Sequence, residues 1–524
     1  RSAEEKRLRL VGGIWYFRYS RIGGVSDDHD KKTQRRVNNS MKKILTAVIA
    51  SIMAFACVFS MTACGNKNGG DTSVSVDKDA MKKAYGDWTG KTLEVYVLDK
   101  GVGTDWVKDA VRNFNAGTGA KITSKADETL NESLATFLDA RSGADVYFSY
   151  ASQLQWVQWA KQGKILSLDD VGFNYKEAIE KVGVIDGVRY TMPYTFAPTG
   201  FVYNQNYINE IPSNGEFEQG KFPSTWQGLL DMCDSVNEKW NKKALGQKVV
   251  PMSYGGSVGD MKYIFLGVWA QIDPVGFKNY WEQTTTSVAG ESNKNLLVND
   301  GAIKAVDSVA KLLNAKKNEQ GNYYPSNAFA DSTSHSNLTA EQKFLNGLSV
   351  FTISGSWFEN EMREHIEEGE YDFYHFAPAP KVNADNPTAI YMNSPAEFFM
   401  VAANGKNNNP QLAKAFLKYM ATEERCQTFQ SYTGTPVALQ YRMNVSTLSR
   451  FANEVAGTLN GTTLAVAASD QIASLTGAIN LDLNSAFKTV ATTGYTSELA
   501  KTTVEGLYRK QVENWGDFMK SFDE

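Results

Sequence analysis

Residues 255–259 read Gly-Gly-Ser-Val-Gly, the G-x-S-x-G spacing of a nucleophile elbow, in which a serine at a strand-to-helix turn attacks an ester carbonyl. Such a serine, here Ser257, needs a histidine base and an acid that orients the base. The downstream histidines are His335, His365 and His375, and neither His365 nor His375 sits in a loop with a clear acid partner. Because short glycine-rich patterns also arise by chance, a secreted hydrolase is kept only as an alternative.

Carboxylates and metal-ligating residues give no further sign of an enzyme. A glycoside hydrolase would place two Asp or Glu side chains on either side of the scissile bond, but spacing singles out no such pair. The sequence contains no H-E-x-x-H motif, no P-loop and no Cys/His cluster. We therefore predict no catalytic residue, no metal, no cofactor and no enzymatic activity.

Strands and helices alternate after residue 90, which predicts an α/β fold with a parallel sheet. Ligands of such sheets bind beyond the carboxyl ends of the strands, where Asp99, Lys100 and residues 149–152 lie. Hydrophobic periodicity predicts strands at residues 92–98, 121–123 and 145–148, and helices at residues 105–115, 131–141 and 154–162.

The charge distribution argues against nucleic acid as a partner. The chain carries 54 Lys/Arg and 58 Asp/Glu, a formal net charge of -4. Residues 1–63 hold 12 of the basic and 5 of the acidic residues, so the remainder, with 42 basic and 53 acidic residues, has a net charge of -11. Phosphate backbones bind clustered positive charge, so we expect no nucleic-acid partner.

Residues 41–63 have the layout of a bacterial secretory signal. Met41 and two lysines are followed by residues 44–61, which are almost wholly apolar or small. The sequence Met-Thr-Ala-Cys-Gly that comes next resembles a lipoprotein cleavage box, which implies that Cys64 becomes the amino terminus and carries a membrane-anchoring lipid. A retained transmembrane helix is the alternative, since the apolar run is near the lower limit for spanning a bilayer.

The segments on either side of this signal differ in composition from the rest of the chain. Residues 1–40 contain no Met and are strongly basic, so we expect a mis-extended reading frame before Met41, with a genuine long signal region as the alternative. Residues 64–87 begin with a run of Gly, Asn, Ser, Asp and Lys, which cannot bury enough apolar surface to fold. We predict a flexible tether there.

The cysteines are predicted to form no disulfide framework. Cys57 lies in the signal and Cys64 at the lipid site, which leaves Cys233 and Cys426 in helical-looking segments far apart in sequence. Their spacing suits neither a metal site nor a disulfide-stapled fold. Two buried free thiols are expected, with a disulfide between them as the alternative.

Most of the chain after residue 90 resembles the extracellular solute-binding proteins of ABC importers, the family that includes maltose-binding members. Thr-Gly-Ala-Lys-Ile at residues 118–122 closes the family's opening strand and helix, and Trp226 and Trp357 stand in its P-x-T-W and G-x-W motifs. Ala144 replaces a common Pro. The order and spacing of six segments together carry the resemblance: residues 93–122, 143–170, 185–208, 222–236, 344–362 and 407–439.

This resemblance implies a two-lobed clamshell with discontinuous lobes that close on a solute by a hinge motion, the closed form being recognised by the importer. The chain is expected to cross between lobes near residues 196–199, 391–397 and 435–439. The implied first lobe is residues 88–196 plus 393–437, and the implied second lobe is residues 200–390 plus 440–524.

The resemblance also implies binding residues. Trp357 lies at the family position where a Trp stacks on a sugar, and Asp99 and Lys100 match an Asp-Lys pair that contacts ligand. A core Trp and an ordinary polar loop are the alternatives. Further residues in loops, crossings or helix starts should face the cleft, with packing or hinge duty as the alternative for each: Tyr150, Ser152, Tyr194, Tyr254, Trp269, Tyr391 and Asn393.

The ligand class follows from the character of these side chains. Sugars offer hydroxyls and C–H patches, which polar groups and aromatic faces complement. Anionic solutes would need a basic pocket and polyamines a carboxylate-rich one. Mixed polar and aromatic loops favour a neutral carbohydrate, an oligosaccharide, although residues 196–198 lack the carboxylate that a maltose-binding member offers there.

The expected protein is therefore a monomeric lipoprotein on the extracellular face of the cell membrane. It would bind a small-molecule carbohydrate and hand it to the permease subunits of an ABC transporter. A solute-binding protein for a non-sugar solute is the main alternative, and the G-x-S-x-G hydrolase is the other.

Overall fold

The computed structural model describes residues 76–140, 143–150, 153–281, 291–369, 371–393, 397–459, 464–467 and 481–523. Mixed strands and helices fill this part of the chain, and the predicted α/β class is confirmed. Within these ranges we find no helix with both the length and the apolar character needed to cross a bilayer. The predicted signal segment, Cys64 and residues 1–40 lie outside the described residues.

Two larger sheets and three small hairpins account for the strands. They are β1 (Thr92–Leu98), β2 (Lys121–Asp127), β3 (Val146–Ser149), β4 (Val184–Ile185), β5 (Val188–Arg189), β6 (Met192–Pro193), β7 (Ala197–Asn204), β8 (Lys243–Ala244), β9 (Gln247–Lys248), β10 (Val250–Ser253), β11 (Ala315–Lys317), β12 (Tyr323–Pro325), β13 (Ser349–Gly355), β14 (Tyr374–Ala377), β15 (Ala389–Asn393), β16 (Phe398–Val401) and β17 (Leu464–Ala467).

Helices pack around these sheets. They are α1 (Lys78–Tyr85), α2 (Asp105–Thr118), α3 (Leu130–Asp139), α4 (Gln153–Lys161), α5 (Gln205–Glu210), α6 (Trp226–Asp234), α7 (Met261–Ile272), α8 (Pro274–Trp281), α9 (Glu291–Leu297), α10 (Asp300–Leu313), α11 (Asn337–Leu345), α12 (Phe358–Glu361), α13 (Arg363–Gly369), α14 (Pro410–Met420), α15 (Glu423–Thr433), α16 (Arg450–Thr458), α17 (Leu483–Ala491) and α18 (Leu499–Asp523).

The first sheet has the strand order β2-β1-β3-β16-β6. β1 pairs in parallel with β2 and β3, as the strand-helix alternation predicts, whereas β16 joins β3 in the antiparallel sense from a distant part of the chain. The apolar stripe of α2 faces this sheet, with Trp106 and Phe114 fully buried in the core. α2 ends where Gly119 adopts a left-handed conformation (φ 78°), which glycine reaches without strain.

The second sheet has the order β10-β13-β7-β15-β17, with β14 also paired to β7. β7 runs antiparallel to β13, β14 and β15. A separate core lies against this sheet, and α7, which is buried on almost every side, is at its centre. The helix α6 begins at Thr225, whose hydroxyl accepts a hydrogen bond from the Gly228 N–H and so caps the helix.

Three chain segments run side by side between the two sheets. The Phe196 N–H donates to the Pro436 carbonyl, and Thr195 forms a backbone bridge with Val437. The Thr199 hydroxyl donates to the Tyr391 carbonyl at 2.8 Å. These bonds tie the segments around residues 195–199, 391–393 and 435–439 to one another.

The predicted tether over residues 64–87 is wrong at its carboxyl end. Asp77 caps α1, which starts at Lys78 inside the predicted tether. Met81 and Tyr85 lie one turn apart and pack against the first core, and the Tyr85 ring is 5.4 Å from that of Tyr419. Two apolar side chains on one helical face thus outweigh the polar composition of the segment.

Both cysteines of the described chain are buried free thiols, as predicted. Burial raises the pKa of Cys426 to about 12 and also raises the pKa of Cys233. They lie in the cores of the two different sheets, Cys426 with the first and Cys233 with the second. They serve as packing residues, because a thiol held neutral is a poor nucleophile.

Candidate functional site

A partly exposed aromatic platform lies at the carboxyl end of β13. Trp357 follows this strand, and its ring meets that of Tyr263 edge-on with centroids 5.8 Å apart. Tyr263 in turn stacks on Tyr391 at 6.0 Å and 21°. Gly355 makes room for the Trp357 ring, because a Cβ at this position would lie 2.3 Å from it. The platform therefore joins three rings from β13, α7 and β15.

A polar loop from the first sheet faces this platform. Asp99 and Lys100 follow β1 and are exposed, and Lys100 Nζ lies 3.5 Å from the hydroxyl of Tyr150, which follows β3. The next residue, Gly101, accepts a hydrogen bond on its carbonyl from the Asn360 side chain. A Cβ at Gly101 would lie 3.7 Å from Trp357 Cβ. The loop after β1, from the first sheet, is thus in contact with the platform, whose rings belong to the second sheet and to α7.

A family model described as bacterial extracellular solute-binding protein matches residues 109–440. The chain belongs to this family. The match includes most of both sheets, the crossing segments, Trp357 and Tyr263, but it begins beyond Asp99 and Lys100.

One curated relative is similar to part of this chain. The diacetylchitobiose binding protein DasA of Streptomyces coelicolor is 29% identical over 176 residues, which are 32% of this chain and 39% of that protein. The match therefore spans about two fifths of the length of the curated relative.

Solved structures show the two-lobed fold that was predicted. A probable secreted solute-binding lipoprotein of Streptomyces coelicolor has a TM-score of 0.55 at 16% identity, over 80% of this chain and 98% of that one. RafE in complex with raffinose has a TM-score of 0.54 at 17% identity, over 80% of this chain and 99% of that one. At these identities the likeness concerns the fold alone.

In this solute-binding protein, three of the predicted site residues are buried in the two cores. Tyr194 is 0% exposed, and its hydroxyl donates to the Met420 carbonyl at 3.0 Å. Trp269 is also 0% exposed, and Tyr254 is 2% exposed. These rings offer no surface to a solute, because the packing that fills a core also excludes ligands from it. We leave them out of the binding surface.

Of the remaining predicted residues, Tyr391 and Asn393 lie on β15 and Ser152 lies outside the described residues. Tyr391 is 7% exposed and supports Tyr263 from behind. Asn393 pairs with Ala197 through its backbone. Tyr263, by contrast, was missed by the sequence analysis, because α7 is apolar on nearly all sides and its periodicity does not show which face meets the cleft.

The G-x-S-x-G loop has a structural role in this fold. The Ser257 hydroxyl donates to the backbone carbonyl of His335 at 2.7 Å, and the Ser257 N–H donates to the same oxygen. His335 Nε2 lies 3.1 Å from Asp331, while the rings of His365 and His375 bond to Gln342 and to Glu454. In the described ranges none of these histidine rings bonds to the Ser257 hydroxyl, so the contact that would activate a serine nucleophile is not formed.

Four carboxyl groups, which the sequence analysis missed, lie behind the platform. Asp260 and Glu397 are almost fully buried, and burial raises the pKa of each to about 7. Glu341 is 0% exposed, while Glu361 is partly exposed at the end of α12. Within the described ranges, no three His, Cys, Asp or Glu residues are arranged to hold a metal ion.

Glu397 sits among the crossing segments and should make stability depend on pH. Its carboxylate accepts a hydrogen bond from the Thr195 hydroxyl at 2.8 Å. Because its pKa in the folded protein, about 7, exceeds the ordinary 4.5, the folded state binds more protons than the unfolded state between these values. The free energy of unfolding therefore falls as pH rises from about 4.5 to about 7.

We expect Glu397→Gln to remove this contribution. Between pH 4.5 and pH 8 the free energy of unfolding of the variant should therefore fall by up to about 3 kcal/mol less than that of the wild type. Urea unfolding of the wild type and the variant across this pH range would measure the difference. The exposed Glu364 provides the matched control, since Glu364→Gln should leave the pH dependence unchanged. Parallel pH profiles for wild type and Glu397→Gln would contradict the assignment.

Proposed function

We propose that this protein captures a carbohydrate, an oligosaccharide, between its two lobes. The observation that carries the proposal is the partly exposed Trp357 ring, buttressed by Tyr263 and facing the exposed Asp99 and Lys100. Aromatic faces pack against the C–H patches of a sugar ring, while charged and amide groups bond its hydroxyls. The names of DasA, a diacetylchitobiose binding protein, and of the raffinose complex of RafE support a saccharide as the solute class.

The binding surface that we propose comes from both lobes. Trp357 and Tyr263 would stack on the saccharide, and Asp99, Lys100 and Tyr150 would bond its hydroxyls. Tyr391 would hold the platform in place. Ser152 and Asn393, which follow β3 and end β15, stay predictions for the same cleft.

We propose that the crossing segments act as a hinge and that the closed, loaded form delivers the solute to the permease subunits of an ABC transporter. The lobes would be residues 76–196 plus 393–437 and residues 200–390 plus 440–524, the first extended by α1. A ligand shifts such an open-closed equilibrium when it contacts both lobes only in the closed form. The protein would act as a monomer and without enzymatic activity.

We also propose that a lipid on Cys64 holds the protein at the extracellular face of the cell membrane. The signal layout of residues 41–63 and the Cys-Gly pair that follows support this proposal. A structural relative is itself described as a secreted lipoprotein. Two acyl chains anchor a protein stably, where one would bind a membrane only reversibly.

A thermal-shift screen tests the capture role. We expect diacetylchitobiose or raffinose to raise the melting temperature by several degrees at about 100 times the dissociation constant, where binding adds about 2.7 kcal/mol. Phosphate and a p-nitrophenyl ester serve as negative controls. Turnover of the ester that is lost in Ser257→Ala, without any saccharide shift, would instead support a hydrolase.

A cationic solute such as spermidine is a second candidate, because the partly exposed Glu361 carboxyl lies next to the platform. The three other carboxyls nearby have raised pKa values and little or no exposed surface, so they offer less negative charge to a cation than ordinary exposed carboxylates do. Spermidine therefore belongs in the same screen. A shift with spermidine and none with saccharides would favour this second candidate.

A further inference from the structure

Glu361 and Glu341 form a carboxyl pair beside the aromatic platform. The Glu361 N–H donates to the Trp357 carbonyl at 2.9 Å, which places Glu361 one turn after the stacking ring. Asn337 Nδ2 lies 3.2 and 3.3 Å from the two Glu361 carboxyl oxygens. The Ser354 hydroxyl donates to Glu341 Oε1 at 2.6 Å. Each carboxyl therefore has one fixed donor from a neighbouring element.

The surroundings of the second carboxyl oxygen of Glu341 indicate that the pair holds a proton. In the described part of the chain no N–H or hydroxyl group bonds to Glu341 Oε2, although the side chain is 0% exposed. The Glu361 carboxyl lies within hydrogen-bonding reach of Glu341. An unpartnered buried carboxylate oxygen is costly, and two adjacent carboxylates repel each other. A single proton shared between the two carboxyls removes both costs.

The surroundings favour the protonated form of the pair. Burial raises the pKa of Glu341 and of Glu361, and Glu361 and Asp260 further raise that of Glu341. Lys100, which faces Glu361 across the cleft, lowers the pKa of Glu361 but is the smallest of its influences. Asp260, Glu397 and Tyr263 are the other titratable groups whose pKa Glu361 raises. Burial therefore outweighs the effect of Lys100 on the pKa of Glu361.

We propose that the proton shared by Glu341 and Glu361 fixes the Glu361 carboxyl beside Trp357, where its other oxygen accepts a hydroxyl of the bound saccharide. Glu361 is then a solute-binding residue and Glu341 is its positioning residue. This inference rests on the proposed saccharide capture. When the proton is lost, repulsion separates the carboxyls and Lys100 offers Glu361 an alternative partner, so the acceptor leaves its place. Saccharide affinity therefore falls as pH rises.

The test is saccharide affinity as a function of pH, measured by titration calorimetry on the full chain with diacetylchitobiose and with raffinose. We expect the wild-type affinity to fall by up to tenfold per pH unit above the pKa of the pair, the limit for one linked proton. In Glu361→Gln the amide can donate to Glu341 and still present an oxygen to the saccharide. Whatever its absolute value, the affinity of this variant should remain constant from pH 5.5 to pH 8.5, because the amide has no proton to lose.

Two further variants separate contact from charge. Glu361→Ala should weaken saccharide binding about tenfold at pH 5.5, because it removes the acceptor. Glu364→Gln removes an exposed carboxylate of the following helix and should change neither the affinity nor its pH dependence. A wild-type affinity that is constant with pH, or Glu361→Ala with wild-type affinity, would overturn the inference and leave the capture role intact.

A ligand-free measurement distinguishes this inference from the proposed function. The melting temperature of the wild type should fall more steeply between pH 5 and pH 8 than that of Glu361→Gln, because only the wild type loses the shared proton. If neither saccharide binds at any pH, the proposed capture of these sugars fails together with the saccharide contact. Identical melting profiles for the two proteins would overturn the shared proton itself.

Discussion

Trp357→Ala should weaken saccharide binding by at least about 30-fold, or about 2 kcal/mol, while leaving the fold in place. The ring is partly exposed and, in the proposed binding site, would provide the stacking face; its loss also removes the edge contact with Tyr263. Most of the binding free energy of a recognition site resides in a few such aromatic contacts. Titration calorimetry with diacetylchitobiose and with raffinose would measure the effect.

Trp88 provides a matched control for this variant. It is also partly exposed, but its indole N–H donates to the Tyr85 carbonyl, and it packs against the first core near α1. Trp88→Ala should therefore keep the affinity and lose some stability, whereas Trp357→Ala should do the reverse. Equal affinities of wild type and Trp357→Ala would refute the proposed stacking role.

The second large effect concerns stability. Tyr194→Ala should lower the free energy of unfolding by about 3–5 kcal/mol, as for other large buried aromatic rings. The Tyr194 ring lies 5.2 Å from that of Phe399 and 5.0 Å from that of Phe429, and it stacks on Trp106. The core cannot close over a cavity of that size without disturbing these neighbours. Urea unfolding would measure the loss.

Tyr194→Phe tests the assignment of this residue to packing instead of binding. It keeps the ring and removes only the hydrogen bond to the Met420 carbonyl, so we expect a loss of about 1 kcal/mol in stability and no change in saccharide affinity. A Tyr194→Phe protein of normal stability that binds saccharide much more weakly would restore Tyr194 to the binding site.

Local sequence patterns predicted several elements because their causes are local. The apolar stripe of residues 105–115 predicts α2, which the structure extends to Thr118, where Gly119 ends it. The strand predicted at residues 121–123 is the start of the longer β2. The predicted tether extended too far because it rested on the average composition of the segment. Met81 and Tyr85, on one face of α1, pack against the first core, and an average does not show this.

The proposed binding site could be predicted from the sequence only in part. Trp357 was selected by its motif, and Asp99 and Lys100 by their place after a strand. Tyr194 and Trp269 have the same residue types as a sugar-binding surface, and sequence alone does not separate an aromatic ring in a core from one at a cleft. Tyr263 was missed for the same reason.

The sequence by itself determined the α/β class, the two free thiols, the family and the position of Trp357, because these depend on periodicity, composition and short motifs. Only the tertiary structure decided which aromatic rings face the cleft and which carboxyls meet. Glu341 and Glu361 are twenty residues apart, and Thr195 and Glu397 meet across 202 residues. Such contacts arise only when helices and crossing segments pack together. Burial and neighbouring charge, which the fold sets, then determine the protonation state of these groups.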